Sequence, residues 1–371
     1  MKIGLVSLQF YQMNSGVSKL TGEMSRYFSR KNDVIVYTLN WDNPRKYCEE
    51  VFGKVLVKKH PFYSIFSNFF YSHALLNSLK KDELDIIHSF HYGFYPAVAG
   101  LKVSLLKKIP HVFSPFFHPP LSSKFIVLPF YLYNLIYGIN LFRKSSKVLV
   151  FSDYERKLII KFGAKEKNLM RFPCPINTEF FKPSHKKDKN PKTVLFVHRL
   201  TEHKGADKFF NMARSILRKR NDVQFIVGGE GYLENLKHSL TESEKKRIKF
   251  IGKLNEEDLR DWYSRATVFV LPSRYESFSL SLAEAMSCRT LVVSTKVGAI
   301  PELVRSTKLG FLVDYGDWTK MEEYVIRIID NEPLAKKMSK NCREYVKSNY
   351  DIEIVGKNLF KIYKSLINKI N

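Results

Sequence analysis

Short apolar runs alternate along this chain with longer segments whose apolar residues recur at helical spacing. This alternation is typical of strand–helix–strand units, whose parallel sheets are covered by helices on both faces. The runs form two series: KIGLVSL, DVIVYTL, DIIHSF, HVFSPFF and KVLVFS, and then TVLFVHRL, VQFIVGG, IKFIGK, TVFVLPS, TLVVST and GFLVD. We therefore expect two doubly wound α/β domains, which also suits a length of 371 residues.

A polar and strongly basic stretch, PSHKKDKNPK, separates the two series. It contains proline and has no apolar period, as is typical of a linker. We expect an N-terminal domain at 1–182, a linker at 183–192 and a C-terminal domain at 193–350. The segment 351–371 has an apolar helical face that must cover one of the domains, and packing back on the N-terminal domain is one of the two arrangements.

The chain carries 61 Lys and Arg against 36 Asp and Glu, a formal charge of +25. Such a surplus suits nucleic acid, an anionic membrane surface or an anionic small molecule as partner. We expect no nucleic acid, because the sequence has no Cys/His finger, helix-turn-helix pattern or RNA-binding signature. Peripheral contact with an anionic membrane remains an expectation.

The four cysteines stand alone, without a CxxC pair. This spacing argues against a zinc ribbon or a disulfide framework and suits a reducing cytoplasm. The opening MKIGLVSLQF is too short in apolar residues for a signal peptide and favours a buried first strand. We expect a cytoplasmic protein that can lie on the inner face of the cell membrane.

Two uncharged or aromatic stretches need an interpretation. Residues 125–142 carry no charge, and their 18 residues reach the lower limit for a membrane-spanning helix. Pro129 and Gly138 interrupt this stretch, and strand-like runs flank it, so we expect a buried helix of an α/β domain. In residues 61–79, the spacing of the apolar residues predicts one helix, with a face formed by Phe62, Phe66, Phe69, His73 and Leu76. That helix could face the core, or lie at a lipid surface with its flanking lysines toward anionic head groups.

The segment 250–304 carries the most chemical information. Its strand TVFVLPS ends in a loop with Glu276, and a helix is predicted to start near 279–281 with serine as its cap. The start of a helix has unpaired N–H groups and a partial positive charge, so this junction suits a diphosphate. It also follows a parallel strand, where open α/β sheets bind their ligands.

Two carboxylates frame this junction, Glu276 before the helix and Glu284 within it. Both could accept hydrogen bonds from sugar hydroxyls, although Glu276 could equally be a cap and Glu284 a surface residue. The segment GluSerPheSerLeuSerLeuAlaGlu at 276–284 resembles the Glu-x7-Glu motif of the family 4 glycosyltransferases. Further matches are PheValHisArgLeuThrGluHisLysGly at 196–205, ValGlyGlyGluGlyTyrLeu at 227–233 and ValGlyAlaIleProGluLeuVal at 297–304.

The resemblance covers 194–345 closely and the N-terminal half loosely. It implies the GT-B fold, in which two doubly wound Rossmann-like domains face a central cleft. It also implies that Arg199 and Lys204 clamp the donor diphosphate, which is physically sensible because cleavage builds negative charge there. Glu276 would bind and position the donor sugar, Glu284 would bind the ribose, and the phosphates would meet the backbone of Phe278, Ser279 and Leu280.

In the N-terminal half the resemblance is looser. Gly16 stands where relatives have a glycine-rich loop near the donor phosphates, and a lone glycine there is also common in plain turns. The family's histidine near the reacting sugar is best matched by His118, with His88 and His91 at a neighbouring strand end. His118 would form a hydrogen bond with the donor sugar near its anomeric centre.

The resemblance therefore implies a retaining enzyme that moves a hexose from a nucleotide sugar, UDP- or GDP-linked, to a glycan or lipid-linked acceptor. It implies no metal and no cofactor. Alternatives are a catalytically silent GT-B protein that binds nucleotide sugar or glycan, and a basic nucleic-acid-binding protein; a glycan phosphorylase would need a pyridoxal lysine that we do not find. The chain departs from the family at Ser279 and Arg289, where many relatives have glycine, and at Leu291, where proline is usual.

Overall fold

The computed structural model describes residues 1–11, 16–66, 69–119, 124–184 and 191–369. Its contacts divide the chain into two compact units. The first unit comprises Met1–Pro175 and Ile352–Asn371, and the second comprises Ile176–Asp351. Each unit is an α/β fold built on its own mainly parallel sheet, as the two series of apolar runs predict.

In its described residues, the first unit has an eight-stranded sheet and a separate two-stranded hairpin. The strands are β1 Lys2–Val6, β2 Asp33–Leu39, β3 Cys48–Phe52, β4 Val55–His60, β5 Tyr63–Phe66, β6 Phe69–Tyr71, β7 Ile86–Phe90, β8 His111–Ser114, β9 Lys147–Val150 and β10 Leu169–Arg171. The sheet order is β10-β9-β8-β7-β1-β2-β4-β3, and only the edge strand β3 pairs antiparallel among the described strands of this sheet. The strands β5 and β6 form the hairpin.

Helices cover this sheet. They are α1 Gly16–Phe28, α2 His73–Lys81, α3 Tyr95–Lys107, α4 Lys124–Tyr133, a π-helical turn Asn134–Gly138, α5 Ile139–Lys144, α6 Asp153–Lys161 and a 3₁₀ turn Glu166–Asn168. The Ser152 hydroxyl caps α6 by accepting a hydrogen bond from the Glu155 backbone N–H.

The helix predicted for 61–79 is wrong over most of its length. The structure has the β5–β6 hairpin first, and helix α2 begins only at His73, after the Ser72 hydroxyl caps it. Phe62 packs against Trp41 and Phe70. Aromatic residues favour strands over helices, and this preference outweighs the helical spacing of the phenylalanines.

The stretch 125–142 is helical, as predicted, but it is only half-buried. The helices α4 and α5 and the π-helical turn between them follow one another without a break, and Phe142 on the inner face is fully buried. On the outer face Leu128 and Leu135 are exposed. Among the described residues, no helix is both long enough and apolar enough to cross a membrane.

In its described residues, the second unit has a six-stranded parallel sheet in the order β13-β12-β11-β14-β15-β16. The strands are β11 Lys192–Val197, β12 Val223–Gly228, β13 Ile248–Gly252, β14 Val268–Leu271, β15 Leu291–Thr295 and β16 Phe311–Val313. The helices are α7 Ala206–Lys219, α8 Glu242–Lys245, α9 Glu256–Arg265, α10 Leu280–Ser287, α11 Ile300–Leu303, α12 Trp318–Asp330 and α13 Glu332–Tyr350, with 3₁₀ turns Glu202–Lys204 and Tyr232–Ser239.

The last helix, α14 Ile352–Ile367, belongs to the first unit and packs on α1. Tyr363 is fully buried there, beside Phe28 and with its hydroxyl on His88 Nδ1. Of the two arrangements left open by the sequence, the structure thus has the terminal helix on the N-terminal domain. The contacts also place residues 176–182 in the second unit, whereas we predicted them in the N-terminal domain. The predicted linker falls mainly on 185–190, which lie outside the described residues.

Candidate active site

The candidate site lies where the strand order of the second sheet reverses. The chain starts this sheet at β11, adds β12 on one side and later β14 on the other. In open α/β sheets, ligands bind outside the carboxyl ends of the strands at such a switch point. His198 follows β11 directly, and the loop with Ser273 and Glu276 follows β14.

An ion pair lies at the centre of this site. The Lys204 ammonium donates a hydrogen bond to Glu276 Oε1 over 2.8 Å, and the Ser273 hydroxyl donates to the same oxygen over 2.8 Å. Lys204 is 7% exposed and Glu276 is 6% exposed. A buried charge is costly unless it is paired with an opposite charge. Separating the two side chains would therefore be unfavourable, and each holds the other in place.

The charges of the pair determine the protonation state of the glutamate. Burial alone would raise the pKa of Glu276. The nearby Lys204 and His198 and the hydrogen bonds that Glu276 accepts together outweigh burial and hold the pKa below its usual value. Glu276 is therefore a carboxylate at neutral pH. It can accept hydrogen bonds but cannot donate them.

His198 lies beside this pair in its neutral form. Burial and then the Lys204 charge lower its pKa to about 3. The Arg199 backbone N–H donates a hydrogen bond of 2.8 Å to Nδ1, so the ring proton is on Nε2. That nitrogen is 3.7 Å from Glu276 Oε1.

Close packing of backbone on glycine fixes both loops of the site. The backbone N–H of Ala299 donates to the Glu276 carbonyl, and a Cβ atom on Gly298 would be 1.8 Å from that carbonyl oxygen. A Cβ on Gly229 would likewise be 1.9 Å from the His198 carbonyl oxygen. Both glycines have positive φ angles, so other residues are excluded by space and by conformation.

The start of helix α10 differs from the sequence-based prediction in one respect. Ser279 occupies the N-cap position, but its side chain makes no capping hydrogen bond, because its φ of 75° and ψ of 78° place it in the left-handed region. A serine cap normally has extended backbone. The first-turn N–H groups, including those of Leu280 and Ser281, are therefore left for another acceptor.

The departures from the family at Ser279 and Arg289 now have a geometric meaning. Arg289 also has a positive φ, 62°, and follows the last turn of α10. Its N–H bonds to the Met286 carbonyl, and the Thr290 N–H bonds to the Ala285 carbonyl, which is the Schellman arrangement. Glycine relieves strain at such positions, so these two residues keep a glycine-type backbone without glycine.

The remaining predicted residues of the second unit occupy different environments. Arg199 is exposed at the end of β11, next to His198. Glu284 is buried on α10, where its charge, after burial itself, raises the pKa of Tyr263. Phe278 is buried against Tyr350. The structure thus brings Lys204 and Glu276 into contact.

In the first unit, His118 is exposed on the loop after β8. Burial lowers the pKa of His91, and so does the charge of His118, so these two histidines are electrostatic neighbours. His88 has a structural environment instead, fully buried between the hydroxyls of Tyr363 and Ser114. Gly16 is exposed and begins helix α1.

Three residues were not singled out from the sequence, although the structure places two of them in contact with Glu276 and the third beside the loop before His118. His198 and Ser273 contact Glu276, and their only sequence signal was a polar residue at the end of an apolar run. Glu155 is buried and accepts hydrogen bonds from the backbone N–H groups of Phe117 and Phe151, which fixes the loop before His118. Its signal was an acidic residue in the first turn of a helix. Within the described ranges, no group of three or more His, Cys, Asp or Glu residues is placed to hold a metal ion.

Comparison with known proteins agrees with this architecture. The family model described as Glycosyltransferase Family 4 matches residues 14–180, and Glycosyl transferases group 1 matches 177–345. An uncharacterised glycosyltransferase of Methanocaldococcus jannaschii is 23% identical, over 94% of this chain and 95% of that protein. The GPI3 subunit of phosphatidylinositol N-acetylglucosaminyltransferase from Saccharomyces cerevisiae is 24% identical, over 84% of this chain and 69% of that one.

Among solved structures, the Anabaena protein HepE in complex with UDP-glucose superimposes with a TM-score of 0.78 at 17% identity, covering 99% of this chain and 100% of that one. Two mainly parallel Rossmann-like units are the architecture of the GT-B glycosyltransferases. The chain belongs to family 4 of these enzymes.

Proposed function

We propose that this protein is a retaining glycosyltransferase that moves a hexose from a UDP- or GDP-linked donor to a glycan or lipid-linked acceptor without a divalent metal. The observation that carries the proposal is the buried Lys204–Glu276 pair at the switch point of the second sheet. A structural ion pair can lie anywhere in a core, but this one lies where an α/β sheet binds its ligand.

In this proposal the second unit binds the donor. The first-turn N–H groups of α10 and the cations of Arg199 and Lys204 meet the diphosphate, whose negative charge grows as the glycosyl–phosphate bond breaks. The hydrogen bond to Glu276 holds the Lys204 side chain in place, so little reorganisation is needed when the negative charge on the diphosphate develops. Glu276 accepts hydrogen bonds from donor hydroxyls and positions the sugar, and Glu284 binds the ribose.

The transfer step follows a front-face path. The bond from the anomeric carbon to the phosphate oxygen breaks, and the acceptor oxygen bonds to the same face of that carbon. The acceptor hydroxyl proton goes to the leaving phosphate oxygen, so no protein nucleophile is required. In this proposal His118 forms a hydrogen bond with the donor sugar, and Gly16 lies near the donor phosphates.

The proposal also covers the acceptor and the location. The name of the yeast relative refers to transfer onto phosphatidylinositol, which favours a lipid-linked acceptor here too. The formal charge of +25 suits peripheral attachment to an anionic membrane surface. We propose a cytoplasmic protein on the inner face of the cell membrane.

A thermal-shift screen tests the donor site first. The purified protein is heated with UDP, GDP, ADP, dTDP and their common sugar conjugates, with Mg²⁺ or with EDTA. A ligand at about a hundred times its dissociation constant stabilises by roughly 2.7 kcal/mol, a visible shift. The proposal expects a shift with one nucleotide that EDTA leaves unchanged, and no shift with any nucleotide contradicts it.

The stereochemical part needs a transfer assay. The product formed from an α-linked donor is examined by NMR for the configuration at its anomeric carbon. An α-linked product supports the front-face path, and a β-linked product refutes it while leaving the donor site assignment intact.

A further inference from the structure

Exposed apolar side chains are concentrated on one helix of the first unit. Among the described residues, fourteen large apolar side chains are exposed, and five of them lie within 128–136. These five form what we name the apolar stripe: Leu128, Tyr131, Leu132, Leu135 and Ile136. Their spacing of three and four residues places them on one face of the continuous helix made by α4, the π-helical turn and α5.

The stripe is not the core-facing side of this helix. The opposite face is formed by Tyr133, Leu141 and Phe142, which are buried in the first unit. The sequence has no charged residue from 125 to 142, so the helix is apolar on both faces. A helix that is apolar all round is normally buried in protein or in lipid, and among the described residues protein covers only one face of this one.

The chain segment that carries the stripe has charged residues of one sign only. Residues 86–152 contain no aspartate or glutamate. They contain seven cations: Lys102, Lys107, Lys108, Lys124, Arg143, Lys144 and Lys147. Lys102 Nζ lies 5.7 Å from the ring centre of Tyr137, which directly follows Ile136. Basic residues beside an exposed apolar helical face are the pattern of helices that lie in the surface of an anionic bilayer.

We propose that the apolar stripe inserts into the head-group region of an anionic bilayer and is the membrane-binding surface of this protein. This inference rests on the proposed membrane-surface location and assigns it to particular residues. The leucines and the isoleucine enter the acyl boundary, Tyr131 lies at the level of the head groups, and the surrounding Lys and Arg side chains meet lipid phosphates.

A second copy of the chain is the main alternative occupant of the stripe. Self-association through this face would bring two such clusters of cations together, and like charges oppose that contact. An anionic lipid surface instead neutralises them. Charge complementarity therefore favours the bilayer.

The test compares two variants that add one negative charge at an exposed apolar position of the first unit. Leu135→Glu changes the stripe, where Leu135 is 68% exposed. Val51→Glu is the matched control, because Val51 is 75% exposed on β3, at the edge of the sheet away from β8 and β9. Circular dichroism and thermal melting check that both variants fold as the wild type does.

Binding is measured by flotation with vesicles of phosphatidylcholine, with and without phosphatidylglycerol. The wild type is expected to bind the vesicles that contain phosphatidylglycerol, and less so as salt rises. Leu135→Glu should bind at least about tenfold more weakly, because burying one leucine side chain raises a binding constant by about that factor or more. Val51→Glu should bind within about twofold of the wild type.

Three results would overturn the inference: no binding by the wild type, equal binding to both kinds of vesicle, or equal binding by the two variants. A wild-type dimer in light scattering that Leu135→Glu dissociates, without vesicle binding, would assign the stripe to a second copy. Thermal shifts with nucleotides report separately on nucleotide binding at the proposed donor site. If Leu135→Glu shows the wild-type thermal shift with nucleotide but no longer floats with vesicles, the stripe is supported as the membrane-binding surface. If the wild type shows no thermal shift with any nucleotide, the proposed donor site is contradicted and the stripe is not affected.

Discussion

Replacing Lys204 with methionine would leave the Glu276 carboxylate buried without its cation. Methionine has nearly the length of lysine, so the packing changes little while the ammonium at 2.8 Å is lost. Removing one partner of a buried ion pair costs about 3–5 kcal/mol. For a unit of this size, each kcal/mol lowers the melting temperature by about 2–4 °C, so a fall of about 6–20 °C is expected.

The loss should depend on pH in a defined direction. In the wild type the pKa of Glu276 is below its unfolded value, so its stabilising effect is present above the unfolded pKa and disappears as pH falls through the folded pKa. In Lys204→Met, burial would raise the pKa above the unfolded value, and stability would fall as pH rises through it. The difference between the two proteins should therefore be larger at pH 7 than at pH 4.

The assay is thermal melting by circular dichroism at both pH values, with Lys320→Met as control. Lys320 forms an exposed ion pair with Glu323, and removing it should change stability by less than about 0.5 kcal/mol. The double variant Lys204→Met/Glu276→Gln should regain much of the loss, because no unpaired buried charge remains. Equal melting temperatures for Lys204→Met and Lys320→Met, or additive losses in the double variant, would refute the reasoning.

Further predictions concern conformation and a buried hydrogen bond. Arg289→Gly should raise stability by about 1 kcal/mol in thermal melting, because it relieves a left-handed backbone at the end of α10. Gly298→Ala should cost about 2 kcal/mol or more and weaken nucleotide binding, since its Cβ would collide with the Glu276 carbonyl. Gly252→Ala is its control for thermal melting and binding, with a similar φ but open space around the new atom. Tyr363→Phe should lower the free energy of unfolding by about 1–3 kcal/mol, seen as a lower melting temperature, because the buried His88 loses a hydrogen-bond partner.

Much of the fold could be predicted because buried parallel strands have a strong signal. Each of the eleven apolar runs that we identified contains a strand, and together they give β1, β2, β7 to β9 and β11 to β16. The strand β3 was missed because its sequence, CEEVF, has two charged residues at an exposed sheet edge. The strand β10 was missed because its three residues, LMR, are half-buried or exposed and form no apolar run.

The charged residues of the candidate site could be named from the sequence, but the contacts between them could not. The contact between Lys204 and Glu276 joins residues 72 positions apart, so it depends on the order of β11 and β14 in the sheet. The left-handed backbone of Ser279 has no signal in the serine itself, because serine normally caps a helix from an extended conformation. The exposure of the stripe was equally hidden, since a helix without charges shows no difference between its inner and outer faces.

The position of α14 has a consequence for how this chain is made. The second unit is a single continuous segment, Ile176–Asp351, so the ribosome synthesises all of it before it reaches Ile352. The first unit begins earlier but lacks its last helix until then, and the pocket around Phe28 and His88 that Tyr363 fills stays open during synthesis. The part of the protein that starts first is therefore completed last, and it exposes the apolar surface of this pocket until α14 has been made.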